Sequence, residues 1–334
     1  LKRRLKTEKK DGRRKLKRRS TNKHPQFKTI PINFHDNSKP LLIIDSETIA
    51  YSVFYTIGQE LTYQNRNTGI IYGFFKTILS LGMKFNTGNM IFCWDAGVSW
   101  RHFNYPGYKQ QRQEKREQFS PEEKQAYDDF LFQKIQLNHE ILPKVGLINS
   151  FCFSNFEGDD LIAKIAKSKY KGRKIIVSND NDMFQCLNDA DMYLLLKKKM
   201  FTKRDFFKKY GLEPDQWPMA KAIGGCNGDN VTGIKGVGDP KNPNSKAIKY
   251  ITGQLKKGKI FERIESRKGQ EIIKQNLPIV TVPYMESKLD KIENFEVKPN
   301  RIKKRKLMRQ FDRFHFISFL KEDEFKQWEK IFDL

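Results

Sequence analysis

The chain has 334 residues and a formal net charge of +25, which points to a polyanionic partner, nucleic acid before an anionic membrane surface. Aromatic residues make up 13% of it, so wholesale disorder is excluded. No apolar run approaches the roughly 20 residues of a spanning helix, and no secretory signal peptide is visible. Cys93, Cys152, Cys186 and Cys226 form no CxxC pair and read as reduced thiols of an intracellular protein. The five scattered histidines give no zinc-ligand spacing. The chain opens on Leu1, so a natural start upstream is expected.

In chain order, residues 1–38 read as a basic disordered arm dominated by Lys and Arg, able to hold phosphates or act as an address signal. The globular part is expected from Lys39. "LLIID" (41–45) reads as a buried strand ending in an acid, and "GIIYGFFKTILSLGMKF" (69–85) as a helix. "NMIFCWD" (89–95) is again a strand running into an acid. Ser120, Pro121 and Glu123 predict a helix start with a capping box. A strand over 148–153 follows, then the acidic helix start "EGDDLIAKIA" (157–166) and the strand "KIIVSNDND" (174–182). "MYLLL" (192–196) adds one more strand. Alternating strands and helices predict an α/β parallel-sheet core with helices on both faces, over 39–200. Residues 201–334 read as a second, helical domain, punctuated by the glycine-rich 224–240.

The acids carry the chemistry. Asp45, Asp95, Asp180 and Asp182 follow strand ends, where ligands gather in open parallel sheets. Glu157, Asp159 and Asp160 crowd one helix start. Seven acids on one edge repel unless cations sit among them, and hard divalent ions with oxygen ligands, Mg²⁺ or Mn²⁺, meet that need. Two such ions are an apparatus for attack on a phosphodiester.

The segments "LLIIDSETIAY", "GIIYGFFKTIL", "IFCWDAGVSWRHFNYPGYKQQR", "EGDDLIAKIA", "SNDNDMFQCL" and "GDNVTGIKGVG" resemble, in this order, the 5′-nuclease (flap endonuclease) family. That family includes phage 5′–3′ exonucleases, phage RNase H-type nucleases and the nuclease domain of bacterial DNA polymerase I. The resemblance covers about residues 41–252. It implies a PIN-like core, a helical arch at about 98–145 and a helix-hairpin-helix element in the second domain. It implies one ion among Asp45, Asp95, Glu157 and Asp159, and another among Asp160, Asp180, Asp182 and Asp229. Lys109 and Arg112 match family cations that touch the reacting phosphate. Tyr105, Lys115 and Arg116 would hold single-stranded substrate by stacking and charge. "GIKGVG" (233–238) would grip duplex backbone through Gly233, Gly236 and Gly238, with Lys235 and Lys246 beside it and a K⁺ ion at the hairpin.

The activity so implied is structure-specific 5′–3′ exonuclease or flap-endonuclease cleavage of branched DNA or RNA–DNA ends, as in primer and flap removal during replication. A monomer without membrane attachment is expected, recruited by a single-strand-binding protein or a clamp. Two other readings stand beside this one: a catalytically impaired structure-specific DNA-binding homologue, and a PIN-like ribonuclease. Three departures from the family pattern bear on them. Cys226 stands where members have an Asp, "DPKNPNS" (239–245) lengthens the hairpin, and "SETIAYSVFY" follows Asp45 without the usual Gly. Glu47 reads as a plain helix-start acid. Trp328, Phe332 and Leu334 read as core residues of the second domain.

Overall fold

The computed structural model describes residues 30–32, 34, 36–284 and 295–334. In chain order, strand β1 (Leu41–Asp45) runs into helix α1 (Ser46–Phe54). A small hairpin, β2 (Thr62–Tyr63) and β3 (Arg66–Asn67), leads into α2 (Gly69–Phe85) and β4 (Met90–Cys93). Three helices then follow without a strand: α3 (Trp100–Asn104), α4 (Gln110–Glu117) and α5 (Pro121–Gln136). A π-helical turn continues α5 into α6 (Leu142–Val145), and β5 (Ser150–Phe151) precedes α7 (Gly158–Ala166). Strands β6 (Lys174–Val177), β7 (Asp191–Leu194) and β8 (Lys199–Phe201) complete the main sheet.

That sheet has the order β5-β4-β1-β6-β7-β8, parallel throughout except for the β7–β8 pair. Strands β4 and β5 build outward on one side of β1 and β6, β7 and β8 on the other, so the switch point lies between β1 and β6. A crevice opens outside the carboxyl ends of strands at such a point. Strand side chains alternate in direction. Leu42 and Ile44 therefore pack with α1 and α2, and Leu41 and Ile43 with α7 on the opposite face. Both faces are covered, which is why β1 is apolar along its whole length before Asp45.

After the sheet come α8 (Lys203–Tyr210), α9 (Trp217–Gly224) and the hairpin β9 (Gly225–Cys226) and β10 (Val231–Thr232). Helices α10 (Lys246–Ile251), α11 (Lys259–Glu265) and α12 (Arg267–Val280) then share a separate core with α9, built on Ile223, Val237, Ile264 and Ile273. The last helices are α13 (Lys304–Arg313), α14 (Ile317–Leu320) and α15 (Glu322–Phe332).

Two expectations about boundaries are corrected. Residues 301–334 do not belong with the second helical unit. Phe311 and Trp328 pack on Phe75 of α2, so α13–α15 cover the first core, and Trp328 is fully buried there. Phe332 and Leu334 pack against the same core. The expected arm over 1–38 is also too long: Ile30, Ile32 and Phe34 are buried, and Ile32 bridges Val297. Their period-two apolar spacing anchors the entry to β1. Residues 1–29 lie outside the described residues.

Candidate active site

The crevice at the switch point is lined by Asp45, Asp95, Asp159, Asp180, Asp182 and Asp229, with Glu47, Lys109 and Arg112 among them. Its volume is about 420 Å³. Strand and helix ends place each acid. Asp45, at the end of β1, caps α1 by accepting the Thr48 N–H at 2.9 Å. The Thr48 and Ser178 hydroxyls donate to its other oxygen. Asp95, two residues beyond β4, accepts the Gly158 N–H at 2.7 Å and so joins the start of α7 to β4. Asp180 follows β6 and accepts the Asp182 N–H at 2.8 Å.

Four of these acids, Asp45, Asp95, Asp159 and Asp180, have no ion pair among the described residues. The crowding shows, after burial, in two of them, Asp159 and Asp45. Burial, then the charges of Asp180, Asp45 and Asp95, push the Asp159 carboxyl well above its ordinary range. Burial lifts Asp45 to about 6, against the hydrogen bonds from Ser178 and Thr48 and with help from Asp95. Acids crowded without paired cations of their own favour the binding of further cations. Among the described residues, however, no three acids close to the spacing of one ion's inner ligands. Mg²⁺ commonly binds through one or two carboxylates and keeps several waters, which suits a wider cleft.

Of the acids expected around the second ion, Asp182 and Asp229 are already paired with cations, whereas Asp180 has no such partner among the described residues. Lys221 of α9, fully buried, contacts Asp182, and Arg112 lies 3.0 Å from Asp229. The Cys226 thiol donates to the other oxygen of Asp229 at 3.0 Å.

Two of the expected ligands do not reach the cleft. Asp160 turns into the protein. Both its oxygens accept from Arg101 at 2.9 Å, and the Tyr284 N–H donates to one of them. Glu157 is enclosed by Lys109 at 2.8 Å, Arg101 at 3.1 Å and the hydroxyls of Tyr108 and Ser99. Against the cost of burial, Lys109 and Arg101 hold its carboxyl down at about 2. The physical reason is Arg101 itself. It is 2% exposed, and a guanidinium so buried must be matched by charge; it also donates to the carbonyls of Ile279 and Thr281 at the end of α12. Arg101 and Lys221 carry no local signal in the sequence, because their partners lie 59 and 39 residues away.

Glu47 is more than a helix-start acid. It lines the crevice, accepts the Asp95 N–H and pairs with Lys134 of α5 at 2.9 Å. Burial and Asp95 lift its carboxyl to about 7, against the pull of Lys134.

Lys109 sits at the start of α4 with a left-handed backbone, φ 56°, and bonds through its N–H to the Asp229 carbonyl. Helix α4 has no buried residue, so Lys115 and Arg116 are exposed; Arg116 lies over the Tyr127 ring of α5 at 5.0 Å. Tyr105 stays off that open face. It lines a cavity of about 350 Å³ with Tyr108, Asn230 and Ile272.

Between β10 and α10, Gly236 and Gly238 have φ of +84° and +87°, a region that favours glycine. A Cβ on Gly233 would meet the Gly224 backbone at 2.2 Å, so α9 and this turn approach as closely as chains allow. Lys235 and Lys246 are exposed beside it. The residues 239–245 form turns, and the Ser245 hydroxyl caps α10.

The family described as 5′-3′ exonuclease, N-terminal resolvase-like domain, matches residues 40–211. The chain belongs to the 5′–3′ exonuclease family. Among relatives, it is 31% identical over 235 residues to a 5′-3′ exonuclease of Mycoplasmopsis pulmonis, covering 69% of this chain and 71% of that one. It is 30% identical over 290 residues to a 5′-3′ exonuclease of Aquifex aeolicus, covering 85% and 95%. Against the thermostable DNA polymerase I of Thermus aquaticus the identity is 30% over 60% of this chain, spanning only 23% of the polymerase. The fold is that of the bacteriophage T5 5′-exonuclease solved with bound zinc, with a TM-score of 0.60, 22% identity, and coverage of 72% and 89%. The parallel sheet and flanking helices are thus those of this nuclease family. No helix among the described residues is long and apolar enough to cross a membrane.

Proposed function

We propose that this 5′ nuclease is divalent-metal-dependent and hydrolyses phosphodiesters near the junction of duplex and single strand in branched DNA or RNA–DNA ends. The observation that carries this reading is the set Asp45, Asp95, Asp159 and Asp180. These four acids, without ion pairs among the described residues, share one cleft with Lys109 and Arg112. They are hard oxygen donors suited to Mg²⁺ or Mn²⁺. A second, weaker ion belongs beside Asp182 and Asp229, whose charges Lys221 and Arg112 already offset. When bound, the ions would lower the pKa of a water and offset charge on the scissile phosphate.

The chain's own residues do the rest. Thr48 and Ser178 hold Asp45 in one orientation. Lys109 and Arg112 present cations to a phosphate entering the crevice, and Lys115 and Arg116 on α4 attract the single strand. Preorganised cations cost no rearrangement as charge develops. The Gly233–Gly238 turn between α9 and α10, with Lys235, Lys246 and a K⁺ ion, grips the duplex backbone without reading sequence.

The test is cleavage of a 5′-labelled flap substrate in Mg²⁺, in EDTA, and by Asp180→Asn. Metal-dependent cutting near the junction, abolished by Asp180→Asn, is the expected result. Tight flap binding with no cutting in Mg²⁺ or Mn²⁺ would instead favour the impaired DNA-binding reading. Cys226, a thiol where the family has a carboxylate, is the observation behind that second reading.

A further inference from the structure

The nuclease chemistry occupies the carboxyl edge of the sheet. The opposite edge carries a feature that it does not use. Residues 298–301 cross the amino ends of β4 and β5. There the Asn300 side chain donates to the carbonyls of Gly88 and Met90, Asn149 bonds to Lys298, and the Arg301 N–H donates to Gly146. From this root α13 lays Leu307 and Phe311 on the core. Its outward face is basic. Between 301 and 313 there are seven Lys or Arg and a single acid, Asp312. Lys304 pairs with Glu329 and Arg313 with Glu140. Arg301, Lys303, Arg305, Lys306 and Arg309 are exposed and have no acidic partner among the described residues.

At helical spacing, Arg305 and Arg309 stand one turn apart directly opposite Leu307 and Phe311, with Lys306 beside them. A buried stripe needs only a polar opposite face, and Glu or Gln would serve it as well as Arg. Unpaired cations on one helix face repel each other unless an anion lies across them. Residues 1–29, fourteen of them Lys or Arg, join the described chain at Ile30, beside the Ile32–Val297 bridge that precedes α13.

We propose that the outward face of α13 is a second nucleic-acid surface, which holds the backbone of duplex DNA at the pole opposite the catalytic crevice. Arg305, Lys306 and Arg309 are its central residues. A regular row of phosphates matches cations repeated along a helix, and such pairing carries no sequence information. This surface would keep the enzyme on long DNA while the crevice engages a junction. It rests on the proposed function only for the identity of the polyanion, because binding is read without cleavage.

The experiment uses the full chain in EDTA and a long blunt duplex, following fluorescence anisotropy over a series of salt concentrations. For Arg305→Gln/Lys306→Gln/Arg309→Gln, the slope of log affinity against log salt should fall by about 2.7, at ~0.9 for each phosphate no longer neutralised. Arg305→Lys/Arg309→Lys should keep the parent slope, since holding the backbone needs charge and not a guanidinium. This second variant separates missing charge from a damaged helix. Cleavage of a short flap substrate by the Gln variant should equal the parent's, which separates this surface from the crevice. An unchanged slope in the Gln variant would overturn the proposal. So would an unchanged slope combined with abolished binding to phosphatidylglycerol vesicles, which would assign the face to a membrane.

Discussion

Asp159 and Asp160 are neighbours on the first turn of α7 and live in opposite electrostatic worlds. Asp159 opens on the crevice beside Asp45, Asp95 and Asp180, with no ion pair among the described residues, and its carboxyl resists ionisation. Asp160 lies 1% exposed against Arg101, with both oxygens occupied. One is an acid kept available at a cost to the fold; the other is an acid committed to joining α7 to α3 and to the backbone after α12. The helix makes the division, because adjacent residues point about 100° apart and so reach different surroundings. An acid's place in a motif therefore says less about its job than the cation its neighbours provide.

Exchanging each acid for its amide should separate the two roles most sharply. Asp160→Asn leaves Arg101 buried with too little negative charge, and should destabilise the protein by about 3–5 kcal/mol. Asp159→Asn removes a repelled charge, so the chelated protein should unfold at an equal or higher temperature. Flap cleavage by Asp159→Asn should nevertheless fall by roughly 100-fold or more, the scale of losing a charge-stabilising group in an active site. Thermal unfolding in EDTA beside a cleavage assay in Mg²⁺ reads both. Equal destabilisation by the two variants would erase the distinction.

The same division predicts opposite responses to pH in the chelated protein. Asp45 rises from 3.8 in the unfolded chain to about 6 in the fold, and Glu47 from 4.5 to about 7. A raised folded pKa contributes stability below the unfolded value that is lost as pH rises through the folded one. The crevice should thus cost stability progressively between about pH 4 and pH 7, by at most about 3 kcal/mol per acid at ~1.4 kcal/mol per unit. Glu157 is depressed from 4.5 to about 2, so its contribution is present above 4.5 and lost as pH falls towards 2. Unfolding temperatures measured in EDTA should peak at mildly acidic pH. Asp45→Asn should flatten the alkaline limb alone, and Mg²⁺ should lift it. A flat alkaline limb in the parent would show that burial, with Asp95 beside them, does not raise the Asp45 and Glu47 carboxyls.

Much of this fold is legible in the sequence because its signals are local. The apolar spacing of 69–85 coincides with α2, and Ser120, Pro121 and Glu123 form the capping box that their order announces. The acids at the carboxyl ends of β1, β4 and β6 are legible too, since strand direction alone carries them to one edge. What the sequence hides is pairing across distance. Nothing near Arg101 tells that it will be buried between Glu157 and Asp160, and nothing near Lys221 points to Asp182. The helices after residue 300 show an apolar stripe, but a stripe does not name the surface it covers. By order along the chain they fall to the neighbouring helical unit, whereas in the fold they cover α2. Ile30, Ile32 and Phe34 form a short alternation at the edge of a basic run, whose charge masks them.

The smallest expected effect concerns the acids of the crevice that already have cation partners. Asp45, Asp95, Asp159 and Asp180 have no cation paired with them among the described residues, whereas Asp182 and Asp229 are met by Lys221 and Arg112, and Cys226 adds a thiol instead of a third acid. A thiol is a poor partner for a hard ion. Two ions should therefore bind with unequal affinity, the weaker beside Asp229. Cys226→Asp puts a hard donor in place of the thiol that now lies 3.0 Å from that carboxylate, and should tighten the weaker Mg²⁺ equilibrium by about tenfold, or ~1.4 kcal/mol, leaving the stronger one alone. Calorimetric titration with Mg²⁺ reads both equilibria without any cleavage. If the titration curve of Cys226→Asp overlays that of the parent, the thiol is not what weakens the second site. Lys221, which already compensates Asp182 from a buried position, would then be the residue that holds the second ion at a distance.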